Sequence, residues 1–195
     1  MATNSRPGVF IQEVELSQAI ALADNGSASG AFLGAFAKGS TAVPVLLNSW
    51  SQFTKTFGGL DDAYPTTWAA YNFFANGGRQ LYVKRIVGAG ALASTLTLQD
   101  SAGSPQDTLT INAINAGVWG NDLSVQITAA GAVERFAVLV YYKNNLVEKF
   151  DDLSMTTTDR RYAVSYINAT SKYVVTVDEG STSASPYPVA GSVQH

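Results

Sequence analysis

The apolar residues of this chain change their spacing near Gly88, and that change constrains the fold more than any single motif. Before it, Trp50, Phe53 and Phe57 recur at helical spacing, as do Trp68, Tyr71, Phe74 and Ala75. After it, apolar residues alternate: Leu96 and Leu98, then Leu109, Ile111 and Ala113, then Leu123, Val125, Ile127 and Ala129. A helix buries one stripe at a period of about 3.6 and a strand buries every second residue, so the two halves require different elements. The expectation is an α+β chain, with a mixed α/β core segment over residues 23–88 and a β-rich domain with one helix over 89–178. Small residues in "GAGALAS" mark the boundary.

Local signals order the elements. Residues 1–22 read as an extended arm and linker, in which Val9, Phe10, Ile11 and Val14 form a β-prone run after a Pro-Gly breaker. Ala31–Ala37 and Val43–Leu47 have the length of strands, with Pro44 suited to an edge or a strand start. Ser49 and Gln52 have capping-box spacing, and Gly58-Gly59 stops that helix. Thr66 or Thr67 would cap the next helix, whose buried stripe would be Trp68, Tyr71, Phe74 and Ala75. Asn76-Gly77-Gly78 follows, then a strand with Leu81, Val83 and Val87 inward and Arg85 interrupting the pattern. The order is thus β-β-α-α-β. Further on, residues 135–142 read as a central strand and 156–168 as a helix. Thr158 would be its cap, with Tyr162, Ala163, Tyr166 and Ile167 on its inner side. Residues 172–178 read as a last strand, and the Ser/Pro-rich tail 179–195 as loop, disorder or the start of a connection.

Gly77 and Gly78, with Arg79, Lys84 and Arg85 nearby, invite comparison with a phosphate-binding loop. Such loops run from strand to helix, where unpaired N–H groups and the positive helix end meet the anion. Here the glycines follow a helix, whose carbonyl end repels phosphate, so the reading is a helix stop. Gly30–Ser40 fails as a Walker A loop because Lys38 precedes Gly39. Asp61-Asp62, Asp151-Asp152 and Asp178-Glu179 lie in turn contexts that suit solvated or capping carboxylates. His195 is the sole histidine and there is no cysteine, which leaves little material for a triad or a soft-metal site. The expectation is a protein that is not an enzyme and takes no cofactor or metal. Trp119, between Gly117 and Gly120-Asn121, either folds back onto the apolar sheet face or stacks against a sugar or base.

Charged residues are 14% of the chain against 46% hydrophobic, where about 25% charged is usual. A surface so short of charge suits contact with partners. The net charge of −3 argues against direct nucleic-acid binding, and no apolar run reaches the roughly 20 residues of a membrane span.

Several segments together resemble the contractile tail sheath proteins of bacteriophages and related tailocin and injection machines. They are, in order, "PGVFIQEV", "AFLGAFAKGSTAVPVLL", "SWSQFTKTFGG", "FFANGGRQLYVKRI", "GVWGNDLSVQI" and "EKFDDLSM" to "YINATSKYVVTV". Sheath subunits are longer, so the match is to their N-terminal part. The resemblance implies a structural subunit that polymerises helically around an inner tube and contracts to drive it through a target envelope. Its partners would be other copies of itself, the tube protein, and baseplate and terminator proteins, in a virion tail assembled in host cytoplasm. Val9, Phe10, Ile11 and Val14 would form the inter-subunit arm. Asn76, Gly77, Gly78, Trp119, Gly120 and Asn121 would be structural, and Arg79, Lys84 and Arg85 candidate interface charges. The alternative from composition and motif is a β-rich carbohydrate-binding module using Trp119.

Overall fold

A computed structural model describes residues 29–131, 134–191 and 193–194. The proposed arm, Val9 to Val14, lies outside the described residues. The first module contains β1 (Ser29–Gly34), β2 (Val45–Leu47), α1 (Trp50–Phe57), α2 (Thr66–Ala75) and β3 (Gln80–Arg85). Its sheet has the order β1-β3-β2, with β1 parallel to β3 and β2 antiparallel. Pro44 precedes β2, an edge strand, where its missing N–H breaks no ladder bond.

Helix α1 follows its sequence signals. The Ser49 hydroxyl accepts from Gln52 N at 3.2 Å, and Gln52 Oε1 accepts from Asn48 N at 2.8 Å, so the cap is reciprocated one residue early. Phe53 and Phe57 are fully buried against Phe36, with ring centroids 5.5 and 5.2 Å away. Gly58, with φ 103, ends the helix.

Helix α2 is rotated from the expected stripe. Trp68 is 43% and Tyr71 39% exposed, whereas Thr67 and Ala70 are fully buried. The cause lies in β1. A Cβ at Gly34 would stand 2.4 Å from Thr66 Cγ2 and one at Gly30 2.9 Å from Phe73 Cε2, so the two glycines admit Thr66 and Phe73 against the strand. Neither Thr66 nor Thr67 is the N-cap. That position is Pro65, while Thr66 Oγ1 donates to Ala35 O at 2.6 Å and Thr67 Oγ1 to Tyr64 O at 2.8 Å.

The second module contains β4 (Thr95–Gln99), β5 (Asp107–Ala113), a 3-10 turn (Val118–Asp122), β6 (Leu123–Ala129), β7 (Phe136–Tyr142), β8 (Asn145–Leu153), α3 (Ala163–Thr170), β9 (Val174–Asp178) and β10 (Val193–Gln194). Two antiparallel sheets, β4-β5-β9 and β10-β6-β7-β8, share one core that includes Leu109, Ile111, Ile127, Val138, Val140 and Ile167. The mixed α+β class expected from the sequence is therefore the one observed.

Three local features differ from expectation. Strand β8 is not signalled by the alternation of apolar residues; it follows a two-residue turn in which Lys143 and Asn144 both have positive φ (50 and 63), the twist that suits a hairpin. Helix α3 starts at Ala163 instead of near Thr158, because Asp159 is held in the preceding turn by Arg135 at 2.6 Å and by Arg161 N at 2.7 Å. Residues 179–191 are loop, yet they are strapped to both sheets. Ser181 Oγ donates to Asp100 Oδ2 at 2.6 Å, Thr108 Oγ1 donates to Pro186 O, Val189 N donates to Gln99 O, and Gly191 N donates to Ile127 O.

Candidate functional site

The helix-to-strand joint between α2 and β3 positions most of the singled-out residues that lie within the described part of the chain. Gly77 N donates to Phe74 O at 3.1 Å and Gly78 N to Phe73 O at 2.9 Å, while Gly77 has φ 89. This pair of bonds is a Schellman ending, with Asn76 as the cap residue. Asn76 also returns its side chain, Nδ2 donating to Asn72 O at 2.7 Å. A Cβ at Gly78 would stand 2.3 Å from Phe73 Cε1, so that ring lies against bare backbone. The glycines stop one element and aim the next.

Strand β3 then alternates strictly, with Leu81, Val83 and Arg85 inward and Tyr82 outward. Arg85 does not interrupt the buried face but extends it. It is 3% exposed, and its guanidinium donates to Phe36 O (2.9 Å), Ala37 O (3.1 Å), Gly39 O (3.0 Å) and Ala116 O (2.7 Å). This corrects the expectation that Arg85 is a surface contact: a planar fork of donors is engaged by carbonyls inside the chain. Lys84 is half-buried and ties down its own neighbourhood, Nζ donating to Thr41 O at 2.6 Å and Ala42 O at 2.7 Å. Arg79, just before β3, is exposed. The two candidate charges whose partners are known therefore act within the chain.

The outward face of the same sheet is apolar. Leu33 is 65%, Tyr82 47% and Leu46 41% exposed, with Ala31 exposed beside them and Val43 and Pro44 at the rim. Both helices pack on the other face, through Leu47, Leu81 and Val83. A sheet containing a parallel pair is ordinarily covered on both faces. Among the described residues its outer strands, β1 and β2, each pair on one side. Sequence periodicity had found these strands but not the open face, because exposure depends on which side the helices choose.

Trp119 resolves the choice left open by its motif. It is 4% exposed in the β-rich core, its ring centroid 6.2 Å from Tyr142, and Nε1 donates to Asn115 O at 3.1 Å. The indole face is therefore occupied, and the stacking platform required by a carbohydrate reading is absent from this residue. Gly120 is required by close approach, since a Cβ would stand 2.7 Å from Ser94 Oγ. Asn121 Oδ1 accepts from that same hydroxyl at 2.7 Å. A half-open cleft of ≈ 350 Å³ lies beside these residues, lined by apolar side chains and by Ser94, Thr95, Asn112 and Asn121, without a carboxylate or a basic group. Among the described residues no three His, Asp or Glu side chains gather as a metal site, and no helix is long and apolar enough to cross a membrane.

The fold is similar to that of a sheath tail protein from Listeria innocua, with a TM-score of 0.60 and 16% identity. That likeness covers 85% of this chain and 32% of the other. A sheath tail protein from Desulfitobacterium hafniense gives a TM-score of 0.52 at 15% identity, covering 94% of this chain and 37% of that one. The chain thus spans 32% to 37% of the length of these solved structures. No family model and no curated protein matches the sequence. At this identity the likeness establishes a shared fold.

Proposed function

We propose that the chain is a structural subunit of a contractile tail sheath, corresponding to the N-terminal part of such proteins. Copies stack around an inner tube through heterologous contacts, which propagate as a helix instead of closing on themselves. The apolar run Val9, Phe10, Ile11 and Val14 adds a strand to a neighbour's sheet, where main-chain bonds hold the lattice together. The extended lattice is a kinetically trapped state whose relaxation drives the tube through a target envelope, with no nucleotide consumed. Baseplate and terminator proteins bound the polymer in the virion tail. Nothing in this mechanism asks for a catalytic group or cofactor.

The observation that carries this reading is the shared fold with two sheath tail proteins over most of the chain. The exposed apolar face of the first module and its outer strands, paired on one side among the described residues, support it, since they suit contact with further polypeptide. Electron microscopy of the full gene product tests it. Tubes of stacked rings are expected, and deletion of residues 1–16 should abolish them while leaving the far-UV circular dichroism unchanged. Monodisperse monomers at high protein concentration, with or without the arm, would sink the proposal.

A further inference from the structure

The two modules meet at the base of β3, where Arg85 reaches the loop before the 3-10 turn. Three of its bonds, to Phe36, Ala37 and Gly39, close within the first module; the fourth, to Ala116 O, crosses to the second. Gly117 is fitted to this approach. Its φ is 130, and a Cβ there would stand 2.7 Å from Arg85 Nη2. From the same loop of the first module, Lys38 places Nζ 5.5 Å from the Tyr142 ring centroid and 5.7 Å from that of Tyr173, both in the second module. Charged donors on buried carbonyls hold one geometry, because a guanidinium fork has fixed bond directions. An apolar residue could fill the space but could not fix an angle between modules.

We propose that Arg85 is a coupling pin: by holding the 36–39 loop and Ala116 on one guanidinium, it makes the two modules turn as a single body. The opposite default is relative motion, expected of modules joined by a small polar contact. The link that joins β3 to β4, residues 86–94, is tied to the first module by Ile86 N on Gly34 O and to the second by Leu92 O and Ser94 O, which accept from Gly117 N and Ala113 N; between these ties Gly88 and Gly90 have open space around them. The coupling is independent of whether the chain assembles.

The chain contains no cysteine, so spin labels can be placed at Ala69→Cys on α2 and Ser165→Cys on α3 without background. Pulsed dipolar spectroscopy of the labelled parent should give one narrow distance peak. Arg85→Met and, separately, Gly117→Ala should each widen it about twofold, as expected of modules that move independently. Gly117→Ala pushes on Nη2, which also holds Ala37 O, and leaves the bonds from Nε to Phe36 O and from Nη1 to Gly39 O clear of the added methyl. It therefore decides the matter even where Arg85→Met disrupts its own module. Amide exchange at Val83 and Val140 reports that both modules stay folded in the Gly117→Ala variant. A distribution as narrow in Gly117→Ala as in the parent, with both modules folded, overturns the pin.

Discussion

The two modules bury apolar strand faces in opposite ways. In the β-rich module, two sheets and α3 enclose a core in which Ile127, Val138, Val140 and Ile167 are fully sealed. In the α/β module, the described helices cover one face of a three-stranded sheet, and Leu33, Leu46 and Tyr82 are exposed on the other. Among the described residues the first closes a core between two sheets, and the second covers one face of its sheet. Stability should therefore concentrate in one module and dependence on partners in the other.

The most severe test of that contrast is Trp119→Ala. It removes a buried indole from the closed core and should cost about 3–5 kcal/mol, read as a lower urea midpoint. A loss below about 1 kcal/mol would mean that the core is not sealed where Trp119 sits. Next comes Gly78→Ala in the open module, expected to cost about 2 kcal/mol because the Phe73 ring has to leave the backbone it covers. Ser49→Ala should cost about 1 kcal/mol through loss of the α1 cap, and Asp at that position should restore it.

Acid should act locally on the strap. The Ser181 hydroxyl, helped by the N–H groups of Gln106 and Ala102, holds the Asp100 carboxyl at about 2 against burial, which pushes the other way. A folded-state pKa below the ordinary value of 3.8 adds stability that is complete above that value and is lost as pH falls through about 2. Backbone NMR shifts of Ser181 and Val189 should move in that window while Val138 and Val140 stay fixed; joint movement would show that the strap is not a separate unit. The smallest stability effect belongs to Leu33→Ser with Leu46→Ser. On an open face these should change the unfolding free energy by no more than about 0.5 kcal/mol, yet abolish tubes in the microscope. A large loss of monomer stability would show that the face is already covered.

How much of this was legible follows the same division. The order β-β-α-α-β, the Ser49 cap and the Gly77-Gly78 stop were readable because each depends on neighbours three to five residues away. The inward turn of Trp119 was one of two readings and needed tertiary contacts to decide it. The stripe on α2 was misplaced because bulk suggested Trp68 and Tyr71, whereas Gly30 and Gly34, distant in sequence, select Thr66 and Phe73. Arg85 looks like a break in the pattern in sequence because its carbonyl partners lie 31 to 49 positions away. Strand β8 escaped notice since two register shifts and a positive φ at Asp152 blur its alternation. The open apolar face had no sequence signature, as its strands look the same whichever side the helices cover.

The parallel pairing of β1 with β3 has a consequence for the order of synthesis. Ser29 and Gln80 are register partners yet 51 positions apart. At ribosomal rates of about 5–20 residues per second, β1 waits roughly 3–10 s for its central partner. The hairpin of β7 and β8 closes across two residues as soon as it emerges. Nascent chains should thus expose the uncharged segment Ser-Gly-Ala-Phe-Leu-Gly for seconds before its central partner emerges.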